Sequence, residues 1–257
     1  MIGGMVGNNS SGTTSIQYGV TRDKVLAMKT IMSDGSEAQF KALSKNEYEA
    51  KRYGNTAEAS LYKNIDKELS DKTIQNEVKS EFPKESIHRR NTGYAVDELL
   101  KNRIYGDVSS DINFCKLLAG SEGTLAFTTE ITLQLDDLPP PFSAMVITHY
   151  KTLEDCLSDV APTMRHNLHT CEMMDKVILE CTKNNREQRK NRFFVEGNPA
   201  ALLMLEVKSA SQADLERQLE ELLQTVKTSG LSYASPVLYA DDINKALELS
   251  LIHISEP

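Results

Sequence analysis

Two glycine-rich stretches hold the residue types and spacings best suited to chemistry. The first, "GGMVGNNSSGTTSIQYGVTRD" at 3–23, begins among five of the chain's thirteen glycines, with no charged side chain before Arg22. Glycine loses more backbone entropy on folding than any other residue, and Asn and Ser favour turns over packed elements. Such a run suits a backbone that must come close to a bound group. Glycine, then Asn, tolerates positive φ most readily, so Gly7-Asn8-Asn9 can form a concave series of N–H donors with the Ser10 and Ser11 hydroxyls beside it. That donor set fits an anion or ring carbonyls, while composition alone equally allows a flexible glycine-rich tail. The second stretch, "AGSEGTLAFTTE" from Ala119, sets Gly120 and Gly123 around Ser121-Glu122. A tight turn feeding a strand can lay its backbone along a flat ligand while Glu122 accepts from a hydroxyl or ring N–H. The competing reading is a plain turn, since glycine often punctuates strand starts. Neither stretch has the GxGxxG or GxxxxGK[ST] spacing, so a Rossmann fingerprint and a phosphate-binding P-loop are both excluded.

The elements that must position these stretches read clearly. "KVLAMKTIMSDGSEAQF" predicts two strands joined by a tight turn at Asp34-Gly35. From about 45 to 80 the chain is charged, with apolar positions at helical spacing, which predicts surface helices over one face of a sheet. "GTLAFTTEITLQL" alternates, with Leu125, Phe127, Ile131 and Leu133 expected on one face and Thr128, Glu130, Thr132 and Gln134 on the other. The prolines of "DDLPPPF" at 136–142 cannot continue a ladder and mark a boundary. Beyond it come strand "SAMVITHY", a helix from about 152, strand-like "TCEMMD", a short helix, a loop rich in Asn and Arg, and strand "ALLMLEV". A longer helix follows, with Ser211 and Asp214 at a capping-box-like start, an apolar stripe of Leu215, Leu219, Leu222, Leu223 and Val226, and Gly230 at its C-cap. Strands alternating with helices in this way predict an α+β unit of ferredoxin-like type.

Charge and cysteine usage narrow the function classes. The net charge of −8, from 29 basic and 37 acidic residues, argues against nucleic acid or an anionic membrane as partner. No stretch approaches the ~20 apolar residues of a spanning helix. Cysteines 115, 156, 171 and 181 form no CxxC pair, so neither zinc nor an iron–sulfur cluster is expected within the chain. They read as free thiols of a reducing cytosol, which predicts a cytoplasmic protein. His166 and His169 stand three apart without an evident carboxylate partner, and a surface or core role is preferred to metal binding.

Taken together, "GGMVGNNSSG…YGVTRD" and "GSEGTLAFTTEITL", in that order and about a hundred residues apart, resemble the FAD-binding domain of the FAD-linked oxidases. This is the PCMH-type, vanillyl-alcohol-oxidase-like superfamily that includes glycolate oxidase subunits and D-lactate and D-2-hydroxyglutarate dehydrogenases. "IHRRNTGYAVDELL" at 87–100 also matches a family segment, and the long spacer before "CKLLAGSEG" is similar to that of larger flavin enzymes carrying an iron–sulfur module on the same polypeptide. The resemblance spans residues 1 to about 249. It implies an α+β architecture: the C-terminal part of an FAD-binding domain at 1–138, a ferredoxin-like substrate (cap) domain at 139–249, and an atypical tail at 250–257.

Carried over residue by residue, the resemblance implicates Gly3, Gly4, Asn8, Asn9, Ser10, Ser11 and Gly12 in holding FAD. Tyr18, Gly19 and Arg22 are further candidates. From the second stretch it implicates Gly120, Ser121, Glu122, Gly123, Thr124 and Leu125. Arg89, Arg90, Asn91 and Tyr94 are candidates for the flavin or a carboxylate substrate, with a solvated turn before a helix as the alternative. The expected activity is FAD-dependent oxidation of a small 2-hydroxy acid: a base takes the hydroxyl proton, the α-hydrogen leaves as hydride to the flavin, and cations hold the carboxylate. Relative to the family pattern, the chain is expected to lack an upstream pyrophosphate loop and the downstream carboxylate-binding arginine and histidine motif. "SLIHISEP" fits neither, so His253 is not promoted to a catalytic role and no catalytic base is assigned. Two rivals remain: a related flavin oxidoreductase with another substrate, and a flavin-fold binding or assembly subunit without catalysis.

Overall fold

The computed structural model describes residues 2–250 apart from 88, 91, 92, 107 and 187, and it divides after Asp136 into two compact units. The tail at 251–257, with His253, lies outside the described residues.

The first unit opens with three short helices, α1 (Ile2–Asn8), α2 (Ser15–Tyr18) and α3 (Thr21–Lys24). Strand β1 (Val25–Ile31) then pairs antiparallel with β2 (Glu37–Lys41). The turn between them forms where the Asp-Gly pair predicts it. Gly35 sits at φ 84°, and the Asp34 carboxylate accepts from the Ser36 amide at 3.0 Å. Helices α4 (Lys45–Lys51), α5 (Ala57–Leu69) and α6 (Lys72–Glu81) follow, each started by a side-chain cap from Ser44, Thr56 or Asp71. A 3-10 turn at Val96–Leu100 and the short α7 (Cys115–Leu118) lead to β3 (Phe127–Leu133), and the sheet order is β2-β1-β3.

The core of this unit is aromatic. The Tyr62 and Phe114 rings stack at 4.7 Å, and Tyr48 meets Tyr62 edge-on at 5.5 Å. Buried hydroxyls need partners: the Tyr48 and Tyr105 hydroxyls stand 2.5 Å apart, and Tyr105 donates to Asp66 at 3.0 Å. Arg52 holds the other oxygen of Asp66.

Strand β3 departs from simple alternation. Ile131 and Leu133 pack on the core as expected, yet Phe127 is 70% exposed. The ladder pairs Lys29 with Glu130 but Thr30 with Thr128, so Thr129 is an extra residue. A bulge of this kind reverses the facing of everything on one side of it. Phe127 therefore points opposite to Ile131.

The second unit holds β4 (Phe142–Tyr150), α8 (Leu153–Thr163), β5 (Thr170–Asp175), α9 (Lys176–Asn184), a 3-10 turn at Gln188–Arg192, β6 (Ala201–Ser209), α10 (Gln212–Ser229), β7 (Val237–Tyr239) and α11 (Asp241–Ser250). Its all-antiparallel sheet has the order β5-β6-β4-β7. Counting this unit's strands from one to four, that is 2-3-1-4, the ferredoxin-like arrangement read backwards. Ser211 caps α10 by accepting from the Asp214 amide at 3.3 Å, and Gly230 closes it at φ 68°. The second half of the expected capping box is missing, because the Asp214 carboxylate accepts from Ser209 and Gln218 instead.

Both faces of this sheet are covered. Val207, Leu203 and Leu205 pack with Leu215, Leu219, Leu222 and Val226 of α10, while Leu202 and Met204 pack with Leu179, Phe194, Ile243 and Leu249. The hairpin between β5 and β6 is replaced by α9 and the 3-10 turn, which supply part of that second layer. The fold class is α+β.

Candidate functional site

The first glycine stretch is helical where an open loop of donors was expected. Val6 is buried in the core and anchors α1. The helix closes with Asn9 in the left-handed region at φ 53°, its amide donating to Val6 O at 3.1 Å, while the Ser10 amide donates to Met5 O at 2.9 Å. This is a Schellman-type cap, with Asn doing what Gly usually does. The Asn9 and Ser10 amides are thereby spent within the chain and do not form the anticipated concave donor series. Gly3 and Gly4 lie on the exposed face of α1, and a Cβ at either would touch nothing within 4 Å.

The second stretch docks on the first. Gly120, Glu122 and Gly123 all adopt positive φ, at 88°, 53° and 73°. In that conformation the Gly120 amide donates to Val6 O and the Glu122 amide to Gly7 O, each at 2.9 Å. Asn8 Nδ2 donates to Glu122 Oε1 at 3.1 Å, joining residues 114 positions apart. A Cβ on Gly7 would meet the Glu122 Cα at 3.8 Å, an ordinary van der Waals contact, so the junction does not itself demand glycine there. Thr124 Oγ1 donates to Ser121 O at 2.5 Å, which leaves the Tyr94 hydroxyl, 2.6 Å away, to donate to Thr124. Arg89 Nε donates to Ser11 Oγ at 3.3 Å. Residues of the 87–100 segment thus reach both glycine stretches.

The remaining candidates divide between surface and interior. Gly12, Gly19 and Leu125 are exposed and Tyr18 is half-buried. The Gly12 amide donates to Ser15 Oγ at 2.8 Å. A Cβ on Gly19 would come within 2.6 Å of Asp23 Oδ2, the atom that accepts from the Val20 amide at 2.9 Å. Asn9 and Ser121 are buried, and Arg22 is only 5% exposed. Asn9 Oδ1 accepts from the Arg22 amide at 2.8 Å. The Arg22 guanidinium donates to Lys116 O and Ala119 O, each at 2.8 Å, and to Arg90 O at 3.4 Å. Burial draws its pKa below the ordinary value, against Glu98, Asp97 and Asp23, whose charges raise it.

Arg90 is engaged elsewhere, its guanidinium lying 2.5 Å from both Asp97 and Glu98. Burial opposes ionisation of Glu98, yet Lys101, Arg90 and Lys116 together hold its carboxyl below the usual range. Asn91 lies outside the described residues. Sequence reasoning named Asn9 and Arg22 as ligand-facing groups because type and position are all it sees. Their burial follows from long-range contacts with no local signature. The Asn8–Glu122 link was unreadable for the same reason.

The donor inventory defines what this surface can hold. Asn8, Ser11 and Arg89 supply amide, hydroxyl and guanidinium protons, while the Ser10, Tyr94 and Thr124 hydroxyls donate within the chain and offer acceptor oxygens, next to bare glycine backbone at Gly3, Gly4, Gly12 and Gly123, where a Cβ would find open space. The Glu122 carboxylate accepts from Asn8 Nδ2 through Oε1. A flat, phosphate-bearing group rich in acceptors fits that chemistry, because glycine lets it approach the backbone closely. Among the described residues no group of three or more His, Cys, Asp and Glu could hold a metal ion, and no helix is long and apolar enough to cross a membrane. Cys115 and Cys156 are buried free thiols, each pushed up to about 12 by burial.

Comparison with known proteins agrees with this chemistry. The sequence profile described as FAD linked oxidases, C-terminal domain, matches residues 116–252, more than half of the chain. D-2-hydroxyglutarate dehydrogenase of Escherichia coli K12 is 25% identical over 184 residues, which are 72% of this chain and 17% of that protein. D-lactate dehydrogenase of Anaerostipes hadrus is 24% identical over 243 residues, covering 93% of this chain and 38% of the relative. Among solved structures, an alkyldihydroxyacetonephosphate synthase superposes with a TM-score of 0.52 at 12% identity, over 98% of this chain and 36% of its own. The chain therefore spans well under half the length of these relatives.

Proposed function

Since the chain belongs to the FAD-linked oxidases, we propose that its first unit lines an FAD site and its second serves as the substrate-side cap of an enzyme oxidising a small 2-hydroxy acid. The observation that carries this reading is the junction of the two glycine stretches through the Gly120–Val6 and Glu122–Gly7 hydrogen bonds. On this reading Gly3, Gly4, Asn8, Ser10, Ser11 and Gly12 meet FAD from one side, and Gly120, Glu122, Gly123, Thr124 and Leu125 from the other. Tyr18 and Gly19 border the same surface, and Asn9, Ser121 and Arg22 support it from beneath. FAD, when bound, supplies the acceptor for the hydride that leaves the substrate's α-carbon.

The chain's own part is to hold and orient. Arg89 reaches Ser11 through Nε, and among the described residues its terminal nitrogens meet no hydrogen-bond partner, which leaves them for a substrate carboxylate in bidentate fashion. The Tyr94 hydroxyl, fixed by Thr124, places a polar group beside it. Arg90 contributes indirectly: held by Asp97 and Glu98, it anchors the backbone that presents Arg89. Relatives named D-lactate and D-2-hydroxyglutarate dehydrogenase support D-lactate or D-2-hydroxyglutarate as the class of substrate, and glycolate joins them through the family resemblance alone. An electron-transfer partner, an iron–sulfur module in the larger relatives of the resemblance, would reoxidise the cofactor, and the free cysteines favour a cytoplasmic setting.

A second reading, a flavin-fold assembly subunit without catalysis, draws on one observation: the Glu122 carboxylate accepts from Asn8 Nδ2 through Oε1 and so serves to join the two glycine stretches. Titration of the purified protein with FAD, followed by quenching of flavin fluorescence and by retention of the visible flavin band on gel filtration, tests the primary claim. Saturable binding that Asn8→Ala weakens is expected, and absence of any FAD binding would overturn it. Reduction of bound flavin by D-lactate or D-2-hydroxyglutarate then separates enzyme from assembly subunit.

A further inference from the structure

Arg22 occupies the interior directly beneath the two glycine stretches. Its guanidinium reaches three backbone carbonyls from two separate segments: Lys116 and Ala119 at the end of α7, and Arg90. Its own amide is held by Asn9, the residue that closes α1. The last carbonyls of a helix have no intrahelical partner, and a buried cation there satisfies them. No carboxylate pairs directly with this guanidinium among the contacts of the described residues. Asp23, Asp97 and Glu98 act on it from longer range.

Gly120 is the counterpart. A Cβ there would lie 2.6 Å from Arg22 Nη2 and 3.2 Å from the Asn9 Cβ, and the residue sits at φ 88°. Contact with the far end of a long side chain is ordinarily relieved by moving that end. Here the end is fixed by its carbonyls, so the space has to come from the glycine.

We propose that Arg22 is a positioning residue that sets the spacing of the two glycine stretches, its planar fork seated in the room that Gly120 leaves. The proposal rests on the reading of that surface as a cofactor site only for its consequence. The arrangement itself is a property of this chain. Lysine cannot substitute, because a single ammonium cannot present parallel N–H groups to the Lys116 and Ala119 carbonyls together.

The test compares Arg22→Lys, Arg22→Met and Gly120→Ala, singly and combined, in the full chain. Amide exchange is read at Gly120 and Glu122, which donate to Val6 O and Gly7 O, with the β1 amides as internal control. FAD affinity is measured in parallel. Exchange at Gly120 and Glu122 is expected to rise at least tenfold in Arg22→Lys while β1 is unchanged, with FAD binding at least tenfold weaker. Gly120→Ala is expected to cost less in the Arg22→Met background than alone. Exchange within twofold of the parent, a uniform rise that includes β1, or strictly additive effects of the two sites would each overturn the proposal. If the parent binds no FAD, the exchange measurements still decide the role of Arg22, and it is the functional reading that fails.

Discussion

Replacing His149 by Phe isolates what one buried imidazole contributes to the second unit. The ring is fully buried on β4, with Nδ1 3.0 Å from Ile147 O and Nε2 accepting from the Glu196 amide at 3.0 Å. That pattern requires the neutral ring protonated on Nδ1. Phenylalanine keeps the volume and the edge contact with Tyr233, whose ring centre is 5.8 Å away, so the change is almost purely polar. An orphaned Glu196 N–H and a weakened Ile147 carbonyl together cost about 2 kcal/mol. For a unit of about 120 residues that lowers Tm by roughly 6–10 °C.

Protonation should act on the same atoms. Burial pulls the His149 pKa below its ordinary value, against Ile147 and Glu196, which raise it. The unfolded chain therefore takes up the proton first as pH falls, so this contribution is complete above the unfolded pKa of about 6.5 and declines below it. His169, also lowered by burial, acts in the same direction, and Glu206, raised by burial, acts in the opposite one. Both remain in the variant and cancel from the comparison. Thermal unfolding at pH 7.5 and 5.5, with amide exchange at Glu196 as a local probe, should show the variant less stable at pH 7.5 and less sensitive to acid than the parent. Equal stability at pH 7.5, or an identical loss at pH 5.5, would refute the reasoning.

Three further outcomes are expected. Gly3→Ala and Gly4→Ala, on an exposed helical face with open space at each Cβ, should raise stability by about 0.5–1 kcal/mol each in a thermal melt. They should also weaken FAD binding, because the added methyl stands where a flat ligand would lie. Leu222→Ala, at the fully buried centre of the α10 stripe, should cost about 2–5 kcal/mol in urea unfolding of the second unit. Tyr105→Phe removes the hydroxyl that stands between Tyr48 and Asp66, and the two partners left behind should cost the first unit about 1–3 kcal/mol by the same assay.

Local chemistry made much of the fold legible. The Asp34-Gly35 turn, the Ser211 cap, the α10 stripe and Gly230 each depend on residues within a few positions of one another, and each appears where spacing placed it. The alternation of strands and helices predicted an α+β unit of ferredoxin-like type, while the short strand β7 and the order β5-β6-β4-β7 came only from the structure. What failed was phase and burial. A single additional Thr in β3 turned Phe127 outward, and nothing in "AFTTEI" distinguishes a bulged strand from a regular one. The helix at Ile2–Asn8 escaped because three glycines argue against helix locally, while the anchoring of Val6 in a core built from distant residues decides for it. At the site, the two stretches were recognisable individually. Their junction and the burial of Arg22 come from contacts spanning about a hundred residues.

The extra residue at Thr129 has an effect upstream of itself. Residues 130–133 are locked to β1 by the core they fill, while the chain from Gly120 to Thr128 enters on the other side of the irregularity. Beyond the bulge the ladder resumes at Thr128 and Phe127 with the opposite facing, so the irregularity fixes how the chain leaving the glycine turn joins the strand. Substitutions at Phe127 or Thr128 need not disturb Ile131 or Leu133, which pack on the core from beyond the irregularity.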